Sequence, residues 1–190
     1  MNNMHDKRRI LTIESMSMKH NNNKIMASKG YTLASVLGVK HYTNTLFCFT
    51  TKRLKTFKFK PGEYTTIGLI IRGMLVFMDY YICSPTWDNK LEFCSKVVPN
   101  GLFTSFLRMV TTKNSIIIKK KTSGELILDV LNPGKRLFLL CSNNGIAAVS
   151  SIMSEPNTYA KFDEVIVVIV CEYVWELHYF SDKLKQMTKD

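Results

Sequence analysis

Between Tyr31 and Leu131 this chain repeats one pattern, and at Asn132-Pro133-Gly134 it abandons it. The repeated unit is a short run of β-branched and aromatic residues: Thr32–Val39, Thr45–Thr50, Tyr64–Ile71, Leu75–Ile82, Leu91–Val98 and Ser115–Lys119. Turn elements separate the runs, among them Pro61-Gly62, Ser84-Pro85-Thr86, Pro99-Asn100-Gly101 and Ser123-Gly124. Short strands with closely spaced turns predict an all-β sandwich or barrel over 31–131. Phe57-Lys58-Phe59-Lys60 alternates as a half-buried strand does, and the spacing of Phe103, Phe106 and Leu107 predicts a short helix over Thr104–Val110.

Past residue 132 the period changes. Leu137-Phe138-Leu139-Leu140-Cys141 is a continuous apolar run, which reads as a strand buried on both faces. A Ser142-Asn143-Asn144-Gly145 turn and a helical stretch to Met153 follow. Val165–Val170 is a second such strand, and Val174–Met187 reads as a closing helix. Strand, helix, strand, helix predicts parallel pairing. Two parallel strands cannot cover both their faces, so residues 132–190 read as a truncated α/β domain. Such a unit is expected to be poorly stable alone, or to associate through its sheet edge.

Composition narrows the class. A hydrophobic fraction of 46% with 11% aromatics suits a globular core. No apolar run approaches the ~20 residues of a membrane helix, so a soluble, cytoplasmic protein without a membrane partner is expected. Of the net charge of +11, residues 1–60 contribute 12 Lys and Arg against Asp6 and Glu14, whereas residues 61–190 carry 14 against 13. Residues 1–30, rich in Met, Asn and Lys, read as a disordered basic extension, with Met1 or Met26 as the start of translation. The five cysteines, Cys48, Cys83, Cys94, Cys141 and Cys171, contain no C-x-x-C pair and read as reduced buried thiols. The scattered histidines argue against a metal site. No nucleophile elbow, Walker loop or full G-x-G-x-x-G is present.

Several stretches, in order, resemble one family. They are Phe59-Lys60-Pro61-Gly62-Glu63-Tyr64, Met78-Asp79-Tyr80-Tyr81, Leu91-Glu92-Phe93, Pro99 to Leu107, Pro133 to Leu137, and Glu155-Pro156 through Ile166. Together they are similar to the bacterial ferredoxin–NADP(H) reductases over residues 31–190. The resemblance implies an N-terminal antiparallel six-stranded β-barrel of FAD-binding type, followed by a truncated parallel α/β nucleotide-binding domain. It also implies FAD as cofactor, NADP(H) as co-substrate, and an acidic ferredoxin or flavodoxin as redox partner, which a basic surface attracts.

For the flavin, the resemblance implies contacts from Met78, Tyr80, Tyr81, Ile82, Gly101, Leu102, Phe103, Thr104, Ser105 and Asn144. Tyr80 corresponds to the family tyrosine that stacks on the isoalloxazine. Met78 replaces the arginine that neutralises the pyrophosphate, and Tyr81 replaces the serine near flavin N5, making it the catalytic candidate. For the dinucleotide it implies Asn143, Asn144, Gly145, Cys171 and Glu172, where Asn143-Asn144-Gly145 replaces a Gly-Thr-Gly turn. Glu172 stands where family members carry an arginine for the 2′-phosphate. A degenerate copy without catalysis is one alternative. A basic barrel binding single-stranded nucleic acid is a second, less favoured one.

Overall fold

The computed structural model describes residues 30–142 and 145–187. The extension over 1–29 therefore lies outside the described residues, as do Asn143 and Asn144. Six strands form one antiparallel curled sheet: β1 (Tyr31–His41), β2 (Leu46–Lys52), β3 (Tyr64–Ile71), β4 (Met74–Tyr81), β5 (Lys90–Lys96) and β6 (Ser115–Lys119), in the order β4-β3-β6-β1-β2-β5. β3 and β6 coincide with their sequence runs to the residue. The β3–β4 hairpin closes through Arg72 (φ 51) and Gly73 (φ 78), the two left-handed positions that a two-residue hairpin turn demands. β4 and β5 are the two ends of the ladder. Their seam is joined just beyond β4, where the Cys83 N–H donates to the Glu92 carbonyl at 2.8 Å.

Strand alternation turns Ile67, Leu69 and Ile71 of β3 inward, against Ile116 and Ile118 of β6 and Phe47, Phe49 and Phe93 of β2 and β5. On the outer face Phe77 lies across Gly68, where a Cβ would meet its ring at 2.6 Å, so the strand needs glycine there. Phe57-Lys58-Phe59-Lys60 alternates in burial as expected, but it is not a strand. Arg53 takes the place of a ladder partner, donating to the Phe57 carbonyl and lying 4.8 Å from the centre of the Phe59 ring. The expected helix is α1 (Leu102–Leu107), which starts two residues early and stops short.

The cysteines need a correction. Cys48 and Cys94 form a disulfide, because the β2–β5 register sets them directly opposite each other with Cα atoms 4.1 Å apart. Cys83, Cys141 and Cys171 remain free.

The remainder is β7 (Gly134–Ser142), α2 (Ile146–Met153), α3 (Pro156–Lys161), β8 (Phe162–Val170), a 3₁₀ turn over Val174–Leu177 and α4 (His178–Met187). β7 and β8 pair in parallel. α3 escaped the sequence reading because it is a single polar turn or two, opened by Pro156 at its first position. The expectation that both strands are buried on both faces fails. Leu137 and Leu139 are covered, whereas Phe138, Leu140, Val168 and Val170 are exposed.

This α/β half is tied to the barrel by buried polar contacts. The Ser151 hydroxyl donates to the Ser84 carbonyl at 2.9 Å, and the Glu155 carboxylate accepts from the Thr86 N–H and hydroxyl. Glu92 accepts from Lys183 at 3.0 Å and from the Tyr179 hydroxyl at 3.4 Å. An apolar cluster of Cys48, Cys83, Ile146, Ala147 and Tyr179 fills the space between.

Candidate functional site

The end of β4 and the first turn of α1 are brought together, with the Tyr80 and Phe103 ring centres 6.1 Å apart. Tyr80 does not offer a free ring face. It pairs with Thr65, whose side chain points inward, so Tyr80 points inward too. It is 8% exposed, packs edge-on against Phe49, and shares a 3.0 Å hydrogen bond with the Ser95 hydroxyl. Burial pushes its phenol above the usual range, with the Ser95 bond acting the other way. The expectation of a stacking surface at Tyr80 is therefore corrected.

Its neighbour takes the outer face. Tyr81 is 38% exposed and touches Tyr64 edge-on at 5.6 Å between ring centres. Met78 is also exposed, and Asp79 accepts a 2.7 Å hydrogen bond from Thr66. Ile82 is fully buried and its N–H donates to the Glu63 carbonyl.

Across the seam, a Cβ at Gly101 would meet the Thr104 hydroxyl oxygen at 2.8 Å. That hydroxyl is committed within the turn, accepting from the Val98 N–H and donating to the Gly101 carbonyl. Thr104 therefore staples the loop in this structure. Phe103 is core, while Leu102 and Ser105 are exposed. Met78, paired with the inward Ile67, stands on the Tyr80 side of the strand and opposite to Tyr81, and neither position 78 nor 79 offers a phosphate chain a cationic side chain.

At the other half, β7 and β8 end level, Ser142 opposite Val170. Gly145 caps α2 there, and a Cβ on it would strike that of Cys141 at 2.8 Å. Cys171 is half-buried and Glu172 exposed. Sequence reasoning missed the residue that fixes this loop. The buried Glu176 carboxylate accepts from the N–H groups of Glu172 and Tyr173 and pairs with Lys96 of β5. A glutamate three residues into a helical turn is the available signal. It also missed the stacked rings of Tyr173 and Trp175, 4.5 Å apart. Position 172 thus presents an exposed carboxylate at the end of β8.

No family model matches the chain. It is 42% identical over 157 residues to a flavodoxin/ferredoxin–NADP reductase of Rhodobacter capsulatus, covering 82% of this chain and 58% of that one. It is 38% identical over 144 residues to a ferredoxin–NADP reductase of Pseudomonas aeruginosa, covering 76% of this chain and 56% of that protein. Among solved structures, a ferredoxin NADP+ reductase from Neisseria gonorrhoeae with bound FAD and NADP superposes with a TM-score of 0.78 at 26% identity. That match covers 83% of this chain and 63% of the other. The chain thus spans a little over half the length of the curated relatives it matches. Barrel, parallel α/β half and sequence identity agree: over these shared residues, the chain belongs to the family of bacterial ferredoxin–NADP reductases.

Proposed function

We propose that this chain is the flavin-binding barrel, residues 31–131, and the opening of the dinucleotide domain, from residue 132, of a reductase exchanging electrons between NADPH and a cytoplasmic ferredoxin or flavodoxin. The observation that carries the reading is the 42% identity over 157 residues, a span too long for the barrel alone. Tyr81 would lie against the isoalloxazine, and position 78 and the Gly101–Ser105 turn would face the pyrophosphate. FAD, when bound, supplies the conversion between hydride and single-electron transfer. The chain's own contribution is to position the ring and to shield one of its faces with the Tyr81 phenol. The carrier protein would meet the basic side of the barrel, where Lys52, Lys55 and Lys58 are exposed.

A second reading, a relative that no longer holds flavin, is favoured by the burial of Tyr80 and the internally bonded Thr104 hydroxyl. Titrating FAD and following quenching of its fluorescence separates the two. The flavoprotein reading expects saturable quenching, tightened about tenfold by Met78→Arg through a charge-assisted phosphate contact of roughly 1.5 kcal/mol. No quenching by either the natural chain or the variant leaves the second reading standing.

A further inference from the structure

The Cys48–Cys94 disulfide lies in the middle of the surface on which α4 rests. Strand register sets Lys40 of β1 opposite Cys48 of β2, and Cys48 opposite Cys94 of β5, so the three stand in one row across the sheet. The strand period puts Glu92 and Lys96 on the same face of β5, flanking Cys94. Each of these neighbours holds the segment 174–187. Lys40 pairs with Asp182 at 2.5 Å, Lys96 with Glu176 at 2.5 Å, and Glu92 with Lys183 at 3.0 Å. Between them Tyr179 packs into one buried cluster with Cys48, Cys83, Ile146 and Ala147. The anchors thus fall on both sides of the sulfur–sulfur bond, one on β1 and two on β5, and that bond locks β2 to β5 between them.

Two free thiols cannot come as close as two bonded sulfurs, and a close-packed cluster has no slack to receive them. On reduction the added separation falls on Tyr179 and on the spacing of the three anchors. We propose that Cys48–Cys94 is a redox latch: the disulfide seats the 3₁₀ turn and α4 on the barrel, and reduction by a dithiol releases them. A thiolate of the dithiol attacks Cys94 Sγ, in the more exposed of the two residues, and Cys48 departs as a thiolate. The dithiol's second sulfur then displaces Cys94, and each released thiolate takes up a proton. Two electrons and two protons have passed to the pair, and the reductant carries away a disulfide. In a reducing compartment a protein disulfide is usually transient and redox-sensing. Release also frees the loop after β8, whose Glu172 and Tyr173 N–H groups the Glu176 carboxylate holds. The latch therefore sets the order of the α/β half while leaving the barrel core in place.

Hydrogen exchange of the full chain, oxidised or refolded with dithiothreitol, tests this, with alkylation mass as the redox record. Reduction is expected to speed exchange roughly tenfold over 174–187, the scale of one crowded core contact, while β3 and β6 are still protected. Cys48→Ser with Cys94→Ser places unbonded groups of similar size at the same positions. That variant should exchange like the reduced chain without reductant and should not respond to dithiothreitol. Loss of protection in β3 and β6 at the same time as in 174–187 overturns the proposal. So does unchanged exchange over 174–187 in a chain whose mass shows full reduction, a result that reads even where the double variant does not fold. Neither measurement involves flavin or nucleotide, so failure here leaves the reductase reading intact.

Discussion

The Cys48–Cys94 disulfide sets the most exposed prediction. It closes a loop of 46 residues between two strands that are already neighbours in the ladder. Loop-closure entropy for that length is worth about 4 kcal/mol in the chain-entropy model, and measured values commonly fall at about 2–4. Taking about 3 kcal/mol for a chain of this size gives a melting point lowered by about 6–12 °C on reduction. Cys48 is 3% exposed beneath the Tyr179 cluster, so reductant must be present during refolding for the comparison to be fair. The assay is a thermal melt of oxidised and reduced protein, with alkylation mass as the redox record. In denaturant without reductant, three of the five cysteines should label. Labelling of all five, or an unchanged melt in protein whose mass shows full reduction, would refute the pairing and the stabilisation in turn.

Burial pushes the Cys83 thiol from 9.0 up to about 12, with the Glu92 carboxylate adding to the effect. A raised thiol pKa favours the neutral native form, so its contribution is intact below pH ~9 and is lost as pH climbs toward ~12, at about 1.4 kcal/mol per unit. The stability difference between the natural chain and Cys83→Ala, measured by denaturant titration from pH 8 to 11, should shrink accordingly; a constant difference contradicts the burial. The Lys183–Glu92 pair, 10% and 22% exposed, predicts that Lys183→Met costs about 2–3 kcal/mol by stranding a carboxylate, and that adding Glu92→Gln recovers part of it. Additive losses in that cycle would show the pair uncoupled. Leu140, 73% exposed on the uncovered sheet face, should promote self-association. Leu140→Lys is expected to lower the average mass seen by light scattering, and a chain that is monomeric at every concentration removes the argument.

The sequence pattern located the elements well where each strand has one wet and one dry side. β3 reads correctly because its residues largely alternate in burial, and β6 because its three β-branched isoleucines, all buried, are bounded by the polar Ser115 and Lys119. It failed where the deciding quantity is a partner's register. A period of two says that Tyr80 and Tyr81 face opposite ways, but only the pairing of Tyr80 with the inward Thr65 says which is hidden. The disulfide was illegible for the same reason, since Cys48 and Cys94 become neighbours through the β2–β5 register alone. Leu137–Cys141 misled because apolar residues on both sides of a strand show hydrophobicity, not cover. Glu172 was legible as a reversal of charge; the Glu176 carboxylate that fixes it required the fold.

The uncovered face of β7 and β8 has a consequence for how the two halves depend on each other. A parallel pair with one dry side buries too little to hold itself together. What it does bury is α2, all eight residues of which are buried between the sheet and the barrel. Ser151, Glu155, Tyr179 and Lys183 then each find their polar partner on the barrel, at Ser84, Thr86 and Glu92. Leaving such groups unpaired would cost more than any exposed contact gains, so detaching the α/β half strands several buried polar atoms at once. The barrel therefore holds the second half in place as well as carrying its own strands. It follows that the loop bearing Glu172, anchored through Glu176 to Lys96 of β5, keeps a fixed position relative to the Tyr81 end of β4.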